Sequence, residues 1–215
     1  MLEQTVPYVA HHFDDAEQQH NASTLGMWLF LVQEVMFFGG LFCASLVYRT
    51  LYPEAFHAGS HELDIGLGGF NTVVLLTSSL TMALSVHAAQ VSKRGMLIVN
   101  LILTLILGFV FLGVKVIEYA AKFEHHLVPG PHFAFHGPDA TNAQLFFSLY
   151  FAMTGLHALH MIIGAGLLMV LIVRSTQGMF NKNYYTPVEM VGLYWHFVDL
   201  VWIFLFPLLY LLGRH

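Results

Sequence analysis

Apolar residues in this chain come in five long blocks, separated by stretches rich in polar residues, glycine or proline. A helix rising 1.5 Å per residue needs about 20 mostly apolar positions to cross the hydrocarbon of a bilayer. The blocks Leu25–Tyr48, Phe70–Ala89, Met96–Tyr119, Gln144–Val173 and Met190–Leu212 meet that length. The pattern predicts an all-α fold, an integral membrane bundle of five transmembrane helices, with a polar N-terminal tail over 1–24 and the membrane domain over 25–215. In "NASTLGMW", Asn21, Ser23 or Thr24 is expected to cap the first helix. "RTLYPEAFHAGSHELDIGLGG" reads as a turn-rich connection and "QVSKRG" as a tight reversal. The Pro-Gly-Pro of "HHLVPGPHFAFHGPDATN" excludes a continuous helix there, and "STQGMFNKNYYTP" closes the last gap.

Composition agrees with a membrane protein. The 215 residues are 57% hydrophobic and only 10% charged, too few charges to coat a soluble globule, which carries about 25%. With a formal net charge of −5 and no basic patch, the chain is not expected to bind nucleic acid. Cys43 is the sole cysteine, which excludes an internal disulfide, a CxxC pair and CxxCH haem attachment. Residues 1–24 hold Glu3, Asp14, Asp15 and Glu17 but no Lys or Arg, so the first span is expected to act as its own insertion signal. Lys93, Arg94, Arg174 and Lys182 fall on the N-terminal side and Arg49, Lys122, Arg214 and Lys115 on the other, a balance that does not fix orientation.

Against this apolar background, ionisable groups at membrane depth stand out, because each costs about 2.5–3.5 kcal/mol on insertion scales. Glu34 lies in the first span; His157 and His160 lie near the middle of the fourth; His196 and Asp199 lie in the fifth. The last four form two i,i+3 pairs, each on one helix face. Counted from the appropriate ends, all five fall at similar depth, which predicts one polar layer shared by three helices. Three roles compete for it. The groups hydrogen-bond between helices and fix their docking. Alternatively, Glu34 is a proton-exchanging carboxyl. Or the three histidines ligate haem or a metal, although no HExxH or Glu-x-x-His set accompanies them. The stripe Asn71, Ser78, Thr81 and Ser85 is expected to serve helix–helix hydrogen bonding, and the Gly39/Cys43 and Gly40/Ala44 spacings to serve close packing. The loop histidines His57, His61, His125, His126, His132 and His136 read as solvated, and "SHELD" lacks the second histidine of a zincin.

Several stretches resemble one family, subunit III of the haem–copper terminal oxidases. "YWHFVDLVWIFLF" is similar to its C-terminal signature and "GLHALHMIIGAGLL" to that of its penultimate helix. "LFLVQEVMFFGGLF" resembles the helix bearing its membrane-embedded carboxylate, which maps onto Glu34. "FNTVVLLTSSLTMALSVHA" and "FLGVKVIEYAAKF" resemble the next two helices, with Glu118 and Tyr119 matching a common outer-end Glu-Tyr pair. The likeness runs in order through residues 21–215. It departs from the family's seven-span form and is similar to the five-span version of bacterial oxidases. It departs also at Lys115, where a neutral polar residue is expected; Lys115 either snorkels to the surface or pairs with Glu118.

The resemblance implies an accessory subunit of an oxygen-reducing, proton-pumping complex of aerobic respiration, with no catalytic residue and no metal ligand of its own. Haem and copper would reside in subunit I, the main partner, beside subunit II, smaller subunits and bound phospholipid. The implied role is to sustain proton uptake, stability, and lipid or oxygen access. The implied location is the bacterial plasma membrane, with the N-terminus cytoplasmic and the C-terminus periplasmic. Within it, Glu34 is the buried carboxylate, and His157, His160, His196 and Asp199 the packing layer. A quinol oxidase subunit III is the nearest alternative; Glu34, where some quinol-oxidase relatives resemble an Asp form, leans toward cytochrome c. From a different class, a membrane haem-binding redox protein remains open. A stand-alone transporter is disfavoured by the lack of repeats and of matching broken spans.

Overall fold

The computed structural model describes residues 9–10, 12–137 and 139–212; Glu3 and Arg214 lie outside them. Its helices are α1 (Ala16–Leu51), α2 (Pro53–His61), α3 (Ile65–Gln90), α4 (Arg94–Glu124), α5 (Ala140–Thr176) and α6 (Thr186–Phe206), followed by a π-helical turn over Pro207–Leu211. Five of these are long and apolar enough to span a membrane: α1, α3, α4, α5, and α6 taken with its π turn. The all-α bundle expected from the blocks is therefore present.

Three local expectations need correction. The cap of α1 is not at Asn21, Ser23 or Thr24 but at Asp15, whose carboxylate accepts the Gln18 N–H at 2.7 Å. With 36 residues, α1 is about 54 Å long and begins ahead of the apolar block. The turn-rich connection contains α2, a short helix begun by Pro53 and set with Phe56 edge-on to Phe146 of α5 at 5.3 Å. Gly39 and Gly40 do not mediate close packing within this chain: a Cβ on either would meet nothing of it within 4 Å.

The tight reversal between α3 and α4 takes the form expected of "QVSKRG". Ser92 adopts a left-handed φ of 56°, and the Lys93 N–H reaches back to the Ala88 carbonyl at 2.8 Å. Asp64 begins α3 by accepting the Gly66 N–H at 2.7 Å. At its far end, α6 runs into Pro207, which has no N–H to continue the ladder, and the chain passes into the wider π turn.

Helix α6 is the most buried span and packs against α1, α3 and α5, while α4 lies between α3 and α5. Trp195 is the keystone of this contact. Its indole N–H donates to Ser78 Oγ on α3 at 2.9 Å, and its six-membered ring fills the space above two glycines. A Cβ at Gly108 of α4 or Gly164 of α5 would stand 2.9 Å from that ring. The polar stripe of α3 serves the α3–α4 seam as its spacing predicts: Thr81 and Thr104 hydroxyls meet at 2.8 Å, and Ser78 Oγ donates to the Thr104 carbonyl at 3.4 Å.

Candidate functional site

Among the described residues, two buried polar centres stand out, one near the middle of α1 and one towards the C-terminal end of α4. The first joins Glu34 to His160. Helix α1 carries Glu34 about halfway along its length, and the residue is 8% exposed. Its Oε2 lies 3.2 Å from His160 Nε2 on α5. The other ring nitrogen, Nδ1, lies 2.8 Å from the Leu156 carbonyl. A carbonyl can only accept, so Nδ1 carries a proton, and Nε2 is the ring nitrogen that faces the Glu34 carboxyl.

Aromatic rings close this centre. Phe38 meets the His160 ring edge-on at 5.3 Å, and Tyr194 stacks on its other side at 6.4 Å. The Tyr194 hydroxyl donates to the His160 carbonyl at 2.9 Å, fixing the turn of α5 that bears the histidine.

The remaining polar-layer residues do not gather into one hydrogen-bonded cluster with this pair. His196 Nδ1 meets Ser79 Oγ on α3 at 2.7 Å. His157 is buried between Phe111 and Trp202, each ring centroid 5.3 Å away, and among the described residues neither ring nitrogen has a hydrogen-bond partner. Asp199 is buried at 3% exposure, and among the described residues neither carboxyl oxygen has one either. Depth alone places the five together; helix rotation about the axes decides which of them face each other.

The second centre includes residues the sequence reading did not single out. Lys115 and Glu118, each 3% exposed, pair at 2.8 Å, so Lys115 does not snorkel out. Two fully buried tyrosines complete the network: Tyr150 of α5 and Tyr210 of the π turn donate to Glu118 Oε1 at 2.9 and 2.5 Å. Tyr119 turns aside and meets Thr154 Oγ1 at 2.6 Å. One turn further along, the buried Lys122 donates to the Glu62 carbonyl. The signal for this centre was a lysine within an apolar span, which demands nearby acceptors; the tyrosines that supply them lie 35 and 95 positions away.

A family model described as cytochrome c oxidase subunit III matches residues 8–214. Similar proteins include the cytochrome c oxidase subunit 3 of a Synechocystis species, 36% identical over 87% of this chain and 74% of that protein. Another is the cytochrome c oxidase subunit 3 of Thermostichus vulcanus, 36% identical over 94% and 92%. A probable quinol oxidase subunit 3 of Staphylococcus saprophyticus is 30% identical over 95% and 96%. With five spanning helices and a family match over nearly its whole length, the chain belongs to the cytochrome c oxidase subunit III family, the third subunit of the haem–copper oxidases.

Proposed function

We propose that this chain is the accessory, non-redox subunit III of a proton-pumping cytochrome c oxidase, and that its Glu34–His160 pair is its proton-handling element. The observation that carries the reading is the 3.2 Å approach of a carboxyl to an imidazole whose other nitrogen is already committed. Such a pair accepts a proton at one partner and releases one from the other with little movement of heavy atoms. Buried beside Phe38 and Tyr194, it is shielded from direct exchange with bulk water. In the complex it would hold a proton near the uptake route of catalytic subunit I, with the N-terminus cytoplasmic and the C-terminus periplasmic in a bacterial plasma membrane.

Haem and copper are assigned to subunit I, with subunit II, smaller subunits and phospholipid as further partners. What supports this assignment is that two of the three mid-membrane histidines are engaged with other groups. His160 faces Glu34 and the Leu156 carbonyl, His196 faces Ser79, and His157 is packed between two aromatic rings.

A second reading, subunit III of a quinol oxidase, is favoured by the full-length match to the staphylococcal relative. Electron transfer with the purified complex, offered reduced cytochrome c or a quinol, separates the two. The proton-handling proposal is tested by Glu34→Gln in the complex. Proton uptake coupled to turnover should fall while haem and copper content stay at the wild-type level. Unchanged uptake would exclude Glu34 from proton handling.

A further inference from the structure

The geometry points to a charge latch in which the Lys115–Glu118 ion pair fastens the C-terminal π turn to the bundle through Tyr150 and Tyr210. This inference is independent of the proton-handling reading and concerns different residues. Three elements converge on it. Helix α4 supplies Lys115 and Glu118, α5 supplies Tyr150, and the π turn supplies Tyr210.

The hydrogen bonding closes on itself. An ammonium has three protons to donate. Lys115 Nζ has three oxygen partners: Glu118 Oε2 at 2.8 Å, Tyr210 Oη at 3.1 Å and Tyr150 Oη at 3.3 Å. Both tyrosine hydroxyls pass their own protons to Glu118 Oε1. Each hydroxyl therefore accepts from the cation and donates to the anion, so loss of the carboxylate leaves both hydroxyl protons without their acceptor and loss of the ammonium leaves a buried carboxylate without its counter-charge. Aromatic faces surround the ammonium as well, with Trp202 at 5.1 Å, Tyr150 at 5.2 Å, Tyr119 at 5.5 Å and Tyr210 at 5.8 Å from Nζ.

The position of the latch gives it a task. After Pro207 the backbone leaves the α-helical ladder, so the last turn has weaker local support than the helix before it. Tyr210 is the polar side chain of Pro207–Leu211, and it is fully buried at the centre of this network. Charge therefore holds in place what the interrupted helix does not. A buried ion pair differs from an apolar contact in one testable respect. Removing one charge strands the other, whereas removing both together is far better tolerated.

The test uses the oxidase complex purified through this chain, with amide hydrogen exchange followed over residues 208–212 and over the α1 turn around Glu34. Lys115→Met and Glu118→Gln should each raise exchange in 208–212 by at least about tenfold, with the α1 turn unaffected. The double variant Lys115→Met/Glu118→Gln should return exchange to within about threefold of wild type. Singles that leave 208–212 unchanged, or a double variant as labile as the singles, would overturn the latch. Should the single variants fail to accumulate, Tyr210→Phe deletes one hydroxyl and keeps the ring. Exchange in 208–212 should rise at least about fivefold for it, and wild-type exchange would equally overturn the proposal.

Discussion

Oε2 of Glu34 faces Nε2 of His160 at 3.2 Å, across the contact between α1 and α5. Truncating either partner leaves the other buried without its match, which costs about 1–3 kcal/mol for a buried polar group. Glu34→Ala and His160→Ala should each lower the thermal stability of the purified protein. The double variant should cost less than the sum, with a coupling of about 1 kcal/mol or more. Strict additivity would show that the two side chains do not interact.

Glu34→Ala should also leave the haem content of the complex at the wild-type level. On the proposed reading, Glu34 is a proton site in an accessory chain and no ligand of a redox centre. The haem-to-protein ratio from the absorption spectrum checks this; haem or copper lost in proportion would contradict the accessory role.

Packing around Trp195 yields a contrast between glycines. Gly164→Ala drives a methyl to 2.9 Å from a rigid, fully buried indole, and should destabilise by about 1–3 kcal/mol. Gly40→Ala points into open space on α1 and should stay within about 0.5 kcal/mol of wild type. Thermal unfolding of both variants in the same detergent reads the difference.

Ser78→Ala removes the acceptor of the Trp195 indole N–H, leaving a buried donor unpaired. The expected loss is about 1–3 kcal/mol. Ser78→Thr restores an oxygen at that position and should recover part of it, measured by the same unfolding transition.

These residues also show what the sequence could disclose. Block lengths gave the five spans because bilayer thickness acts on every one of them alike. The spacing of Ser78 and Thr81 gave their face because α3 and α4 are joined by a short reversal that leaves few ways to pair. Glu34 was visible as an expensive group, yet its choice of His160 over His157 was not. The two histidines lie only about 60° apart around α5, on one face, and only the docking of α1 selects between them. Gly39 and Gly40 show the converse: small residues permit close approach without requiring it. The helix α2 was hidden by its Pro, Gly and Ser content, which Pro53 at the first turn and burial of Phe56 override. Tyr150 and Tyr210 join Lys115 through tertiary contacts that no local pattern records.

The most direct measurement compares two absorption spectra, one of the isolated chain and one of the complex captured through a tag on it. An accessory, non-redox subunit requires haem bands and copper in the complex, together with a catalytic subunit identified by mass, and no Soret band in the isolated chain. A Soret band of stoichiometric intensity in the isolated chain would contradict that role, and would make the mid-membrane histidines ligands.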